Sequence, residues 1–192
     1  MRRRCGAAAL ALAMAAVGVP ALACRIPVPL ELRDVQYADV VVVGRIANYR
    51  IVRDEAAREQ RRKLLASSPD MPPELRKILA GQQGFLTDYA RFDVIVDKVL
   101  SGKAPKTLSV TWDNSTFAEP EAMPPGPYVL ALRHPGSRAP PPRGPSATFV
   151  PNREPGTLTV LQAPCAPAFI FETASGEAAT LRKALTSGLS GF

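Results

Sequence analysis

The chain has 192 residues, of which 46% are hydrophobic and 21% are charged, with a formal net charge of +7 and a mean hydropathy of zero. These values are typical of a globular protein, and they exclude a disordered, a collagenous or a polytopic membrane chain. The 20 prolines are about twice the ordinary share and argue against a helical bundle, because proline breaks helix interiors.

The first 23 residues have the pattern of a secretory signal peptide. An arginine-rich start precedes an apolar stretch from Ala7 to Val19, and small residues lead up to Cys24. That stretch is short for a bilayer crossing and no later one reaches 18 residues, so we expect no transmembrane span. Removing 23 residues and three arginines from the 192 would leave 169 residues and lower the charge from +7 to +4. We therefore predict an exported protein, periplasmic or extracellular, with a single domain over 24–192.

The mature chain begins its regular structure with a long strand. The run from Ala38 to Val52 is rich in β-branched residues and predicts one strand with a bulge or bend at Gly44. Later strands are predicted from apolar alternation, with Trp112 in the core. Their ranges are 86–100, 107–112, 128–133 and 157–161, with a short candidate at 147–150.

A helical insertion separates the first two strands, over about 54–80. Opposite charges at three- and four-residue spacings predict a solvated helix over 54–66, with Leu64 and Leu65 as its apolar contact. A second helix is predicted over 72–80, with Asp70 as its cap and Gly81 as its stop. Its apolar face is formed by Leu75, Ile78 and Leu79.

The first of these helices carries four basic residues close together. We interpret them as part of a solvated helix face, with a docking patch for an acidic partner as the alternative. They are Arg58, Arg61, Arg62 and Lys63.

The last segment predicts a third helix, over 175–187. Ala178, Leu181 and Leu185 fall on one of its faces, which we expect to dock on the sheet. Five or so strands, a helical insertion and a C-terminal helix predict a mainly β fold, namely a small barrel.

Two cysteines, Cys24 and Cys165, remain in the mature chain, because Cys5 leaves with the signal peptide. In an oxidising compartment two cysteines most often pair, so we predict a disulfide bond between them. The alternative is a lipoprotein tethered to the membrane through an acylated Cys24. The order Ala21-Leu22 reverses the order that lipoprotein processing prefers, and lipidation would leave Cys165 unpaired.

No motif in the sequence indicates catalysis. The chain lacks the His-Glu-x-x-His zinc motif, the nucleophile elbow, a phosphate-cradling glycine loop and a multi-cysteine zinc pattern. The one histidine, His134, lies at a strand end and is interpreted as an exposed loop residue. Asp93 and Asp97 share a solvated strand face that needs no catalytic explanation. We predict no enzyme, no catalytic residue, no metal site and no cofactor.

Four segments over residues 24–133 follow a recognisable order. A cysteine has prolines close behind it, an acidic residue precedes a β-branched run with a glycine, a second strand ends in a Ser-Gly-Lys turn, and a glycine-tyrosine strand follows. They are Cys24–Pro29, Ala38–Ile46, Tyr89–Lys103 and Pro125–Leu132. This order resembles the netrin-like domain, the oligonucleotide/oligosaccharide-binding (OB) barrel also found in tissue inhibitors of metalloproteinases. The resemblance implies that the barrel is closed, five-stranded and OB-like. The chain departs from that family at Ile26, where the family has a second cysteine, and it lacks another family cysteine before the glycine-tyrosine strand.

The resemblance implies two functions that do not involve catalysis. The first and preferred one is a binding module whose partner is a protein or another envelope component. In the inhibitors, the free amine and carbonyl of the first cysteine chelate the zinc of a protease, so the resemblance implies that Cys24 would do the same after cleavage at Ala23. OB barrels often bind nucleic acid through aromatic residues, but here we assign those residues to the core of an exported protein and predict no nucleic-acid partner.

Overall fold

The computed structural model describes residues 28–82, 84–113, 119–143 and 154–187. The predictions on residues 1–23, on Cys24 and on a strand at 147–150 lie outside these ranges. The elements are a 3-10 helix Leu32–Tyr37, β1 Val40–Val52, α1 Glu55–Ser67, α2 Pro73–Gly81, β2 Tyr89–Ser101, β3 Thr107–Asp113, β4 Tyr128–Arg133, β5 Leu158–Val160, β6 Ile170–Glu172 and α3 Gly176–Thr186. No helix in the described ranges combines the length and apolar character that a bilayer crossing requires.

Five strands close into a barrel in the order β1-β2-β3-β5-β4, and β4 pairs back onto β1. The neighbours are antiparallel except for β3 and β5, which are parallel. Strand β6 adds to β4 outside this ring. The prediction of a mainly β, OB-like closed barrel with a helical insertion and a C-terminal helix is therefore confirmed.

Strand β1 belongs to both sides of the barrel because it bends twice. Two register shifts lie close together, between Val41 and Val42 and between Val43 and Gly44, and the latter is at the predicted position. A Cβ atom at Gly44 would come within 2.7 Å of the Ile95 carbonyl oxygen, so only glycine permits this approach of two strands. A further irregularity follows Ala47, where Asn48 has a φ of 55° and donates from Nδ2 to Asp93 Oδ2 at 2.8 Å. Asparagine tolerates this left-handed conformation better than most residues.

The barrel interior is the main hydrophobic core, and Trp112 is buried in it as predicted. Its fully buried side chains come from four strands: Val42, Phe92, Val94, Val110, Leu130 and Leu132. A second cluster lies outside the barrel, where α3 covers β1 and β4 with Ala178 and Leu181 and Leu185 packs at its edge. The predicted docking of the C-terminal helix is therefore confirmed.

The helical insertion is built differently, since neither α1 nor α2 has a buried residue. Leu64 is 48% exposed, so the prediction that it makes the apolar contact of α1 is wrong, and Ile78 on α2 is 52% exposed. The two helices form a helical hairpin that is held together by hydrogen bonds from arginines instead of by buried apolar contacts. Arg76 on α2, for example, donates to the Leu65 carbonyl at 2.8 Å, which satisfies a carbonyl at the end of α1.

The start of α2 also departs from the prediction. The helix has Pro72 at the N-cap with no side-chain capping bond, so Asp70 is not its cap. Pro73 lies in the first turn, where a backbone N–H would have no partner within the helix, so its missing N–H costs no hydrogen bond. The solvated character of α1 and the end of α2 at Gly81 agree with the prediction.

Candidate functional site

A cleft of about 650 Å³ opens at the end of the barrel beside the helical insertion. Its volume lies in the range of ordinary ligand sites. The β1–β2 connection of an OB barrel is one of the loops that carry ligand contacts. The lining residues are Tyr49, Arg50, Ile51, Arg53, Arg58, Gly84, Asp88, Tyr89, Ala90, Glu119 and Glu121.

Asp88 organises one wall of the cleft. Its carboxylate is 4% exposed and accepts from Arg58 Nη1 and Nη2 at 2.7 and 2.8 Å. It also accepts from the backbone N–H groups of Asp54 at 2.8 Å and Phe85 at 3.0 Å. Burial acts to raise the pKa of Asp88, but the hydrogen bonds from Arg58, Asp54 and Phe85 outweigh it and hold the pKa below its usual value. One charged side chain thus fixes both the start of α1 and the approach to β2.

Tyr49 joins the opposite wall to the barrel. Its ring stacks on Phe92 with the centroids 5.7 Å apart, and its hydroxyl donates to the Pro120 carbonyl at 2.6 Å. Burial, and then the charge of Glu119, raise the pKa of Tyr49 above its ordinary value. The phenol therefore stays protonated and keeps the 119–121 segment against β1.

Glu119 contributes an unusual carboxyl group to this wall. Its Oε1 atom is buried and has no hydrogen-bond partner among the described residues. Burial raises the pKa of Glu119 to about 8, a backbone hydrogen bond opposes this, and the charges of Asp113 and Asp88 add to the rise. Burial also raises the pKa of Asp113 to about 6 against the charge of Arg133. Near neutral pH, Glu119 therefore offers an unused donor and acceptor to whatever enters the cleft.

Two cations complete the lining. Within the described ranges, Arg50 and Arg53 are exposed and make no ion pair, and the same holds for the carboxylate of Glu121. The neighbouring side chains of Ile51 and Ala90 add apolar surface. The cleft consequently presents free groups of both charges around a partly apolar surface, which is suited to a partner of mixed character.

The four predicted basic residues divide into two pairs. Arg58 and Arg61 lie over the ring of Phe85, with guanidinium carbons 4.7 and 3.8 Å from its centroid. Arg62 and Lys63 pair with Glu59 at 2.6 and 3.7 Å on the exposed side of α1. Arg58 and Arg61 therefore help to hold the insertion together, while the other two form surface ion pairs.

Cys165 lies in a turn in which the N–H of Ala166 donates to the Ala163 carbonyl at 3.0 Å. It is 3% exposed and has a φ of 68°. Its own carbonyl accepts from the N–H of Val28 at 2.9 Å, which places the beginning of the described chain beside it. The disulfide bond between Cys24 and Cys165 stays a prediction, because Cys24 lies outside the described residues.

His134 is exposed directly after β4, as predicted, and its backbone N–H donates to Asp39 Oδ2 at 2.7 Å. On the solvated strand face, Asp93 accepts from Asn48 and Asp97 pairs with Arg45 at 2.8 Å. These contacts give both aspartates a structural role.

Sequence reasoning missed Asp88 and Glu119, the two carboxyl groups that shape the cleft. Asp88 reaches Arg58 across 30 residues, and Glu119 lies in a proline-rich loop without periodicity. The clustering of three acidic residues with one proline over 113–121 is the one signal that would have drawn attention to this loop.

The comparisons with known proteins add no relative to this geometry. No protein-family model matches the chain, and no curated protein and no solved structure matches it either. The netrin-like resemblance therefore stays a prediction, and the site itself is the basis for inferring a function.

Proposed function

We propose that the protein is an exported, non-catalytic binding module of netrin-like type, which takes a segment of a protein partner into the cleft at the end of its barrel. The observation that carries this proposal is the Oε1 atom of Glu119 in the cleft lining, which is buried and has no partner in the part of the chain that the structure describes. A buried polar atom without a partner costs free energy, and a bound ligand that supplies a hydrogen bond recovers it.

The remaining lining groups indicate the character of the partner. A basic side chain of the partner fits Glu119, whereas an acidic one fits the unpaired guanidinium groups of Arg50 and Arg53. Asp88 and Tyr49 are already engaged in hydrogen bonds that hold the walls. Some side chains of the cleft therefore hold its walls in place, and others are left to contact a ligand. This arrangement supports binding rather than group transfer.

The test uses the chain beginning at Cys24, with its two cysteines oxidised. The partner captured from envelope extract is measured by calorimetry against the wild type and Glu119→Gln, with Lys98→Gln on exposed β2 as the control. We expect Glu119→Gln to weaken binding about tenfold, since a charge-assisted hydrogen bond contributes that much. We also expect proton release on binding to the wild type and to Lys98→Gln, but not to Glu119→Gln. Equal affinities of all three proteins, or chemical conversion of the partner, would contradict the proposal.

Export and the disulfide bond belong to the same proposal. Four Cα–Cα steps lead from Cys24 to Val28 and span at most about 14 Å when extended. The hydrogen bond between Val28 and Cys165 therefore leaves Cys24 within reach of a bridge, which requires about 4.4–6.8 Å between the Cα atoms. The intact mass of the native protein tests this. We expect a chain that begins at Cys24 and is two hydrogens lighter than the reduced form, whereas added acyl mass would establish the lipoprotein alternative.

The second candidate is inhibition of a zinc protease through the amine and carbonyl of Cys24. The hydrogen bond between Val28 and Cys165 favours it, because it anchors the chain close to this residue. A chain with one extra alanine before Cys24 has no free amine at that residue, so it should lose all inhibition in a panel of zinc proteases. Inhibition that survives the extra alanine would rule this mechanism out.

A further inference from the structure

A second cavity, of about 330 Å³, lies between α1, α2 and the approach to β2. We call it the arginine groove. Four arginines line it and no acidic residue does. The lining residues are Arg53, Arg58, Arg61, Arg62, Leu65, Leu79, Ala80, Gln82 and Phe85.

Two of the four positive charges have carboxylate partners. Asp88 neutralises Arg58, and Glu59 neutralises Arg62. Within the described ranges, Arg53 and Arg61 have no such partner. Burial, and then the charge of Arg58, lower the pKa of Arg61, as expected for a cation without a counter-charge. The groove thus holds an excess of two positive charges.

Arg61 is held in place without an anion. Its guanidinium lies over Phe85, and its Nη1 atom donates to the carbonyls of Gln82 at 2.8 Å and Leu79 at 3.3 Å. Phe85 is itself positioned by its N–H bond to Asp88. Among the described residues, the Nε and Nη2 atoms of Arg61 have no partner, so a ligand meets a guanidinium that is already oriented.

We propose that the arginine groove binds a phosphate monoester group through Arg53 and Arg61. A dianion matches the excess of two positive charges, and guanidinium groups present paired donors that fit phosphate oxygens. A soluble phosphomonoester and the headgroup of a phosphatidic acid lipid share this chemistry. The groove adjoins the cleft of the proposed function and shares Arg53 and Arg58 with it, whereas Glu119, Arg50 and Tyr49 line the cleft and not the groove.

The experiment is a calorimetric titration of the mature chain with inorganic phosphate at low ionic strength. We expect saturable binding of one phosphate, weakened about tenfold or more by Arg53→Gln and by Arg61→Gln. Arg50→Gln removes the same charge from the neighbouring cleft. We expect this variant and Glu119→Gln to bind phosphate with an affinity within about twofold of that of the wild type. Arg53 is exposed and unpaired, so its variant tests the groove even if Arg61→Gln loosens the hairpin.

Absence of saturation in the wild type would overturn the proposal, as would an equal loss in Arg50→Gln, which would indicate only a general effect of charge. Sedimentation with phosphatidylcholine vesicles, with and without phosphatidic acid, then distinguishes the source of the phosphate. Arg53-dependent binding to the phosphatidic acid vesicles assigns the lipid, and its absence beside phosphate binding assigns a soluble phosphomonoester. Loss of cleft binding in Glu119→Gln leaves these results unchanged, so the two proposals fail separately.

Discussion

The barrel and its helical insertion are stabilised by different forces. In the barrel, Phe92, Val110 and Leu130 are almost completely buried, so removal of apolar surface from water holds the strands together. The insertion buries no residue of α1 or α2 and exposes Leu64 and Ile78. It depends on arginines that bond to carboxylates and carbonyls. The two regions should therefore respond differently to mutation, acid and salt, although they meet at one cleft.

The largest effect is expected from a cavity in the barrel. Phe92→Ala removes a ring that fills the interior and supports Tyr49, and should lower the free energy of unfolding by about 3–5 kcal/mol. Urea unfolding followed by Trp112 fluorescence measures this. The matched control is Phe85→Ala in the insertion, which should cost about 1 kcal/mol, since it loses only exposed or half-buried contacts. Equal costs for the two variants would refute the division into two regions.

The next effect is expected at the joint between the regions. Asp88→Asn leaves the guanidinium of Arg58 buried without its counter-charge and should cost about 2–3 kcal/mol. Limited proteolysis should cut within 54–82 while β2 stays protected. The control Asp97→Asn breaks an exposed pair with Arg45 and should not change the cleavage pattern.

Acid should have the same local effect as Asp88→Asn. The folded-state pKa of Asp88 is lowered, so its stabilisation is present above the ordinary carboxyl pKa and is lost as the pH falls below it. Proteolysis of the wild type should therefore begin to cut the insertion below about pH 4, before the barrel unfolds. Simultaneous loss of both regions in acid would contradict the separate origin of their stability.

A smaller effect of opposite sign is expected from Glu119. Its folded-state pKa is raised to about 8. The contribution of Glu119 to the free energy of unfolding is therefore fully present below the unfolded pKa of 4.5 and is lost as the pH rises toward 8. The pKa of Asp113 is raised to about 6, so its contribution to the free energy of unfolding is also lost as the pH rises, up to about pH 6. We expect the wild type to lose on the order of 1–2 kcal/mol between pH 5 and 8, after allowance for solvent screening. Glu119→Gln should flatten most of this slope in urea titrations.

The control for this slope is Glu121→Gln, an exposed carboxylate in the same loop. It removes the same charge from a solvent-exposed position, so we expect the pH dependence of the wild type to persist. A slope that Glu119→Gln does not change would place the responsible carboxyl elsewhere.

Most of the barrel is predictable because its signals are local. The apolar run over 128–133 gives β4 with its observed bounds, and the β-branched run gives β1 to within two residues. The start of β2 was predicted too early, at 86, because a turn from Phe85 to Asp88 precedes it. The 3-10 helix and the short β6 were missed, since tertiary pairing rather than propensity decides such elements.

The candidate site is much less predictable. The ion pair of Arg58 with Asp88 joins residues that flank the whole insertion, and no spacing rule links them. The raised pKa of Glu119 depends on burial at the barrel end, which only the closed sheet creates. For α1, periodicity identified the helix, but it did not reveal that Leu64 points to solvent, because amphipathic patterns do not say whether another element covers the face.

The smallest effect tests whether the outer charges of the insertion contribute to its stability. Arg62 pairs with Glu59 at 2.6 Å, but their side chains are 69% and 47% exposed. Water and salt screen such a pair, so Arg62→Gln should change the free energy of unfolding by less than about 0.5 kcal/mol. Arg58→Gln, four residues earlier on α1, removes the same charge from the buried pair and should cost several times more, at both low and high salt. Because the two substitutions change the net charge equally, a difference between them measures burial, and equal costs would show that the insertion responds only to total charge.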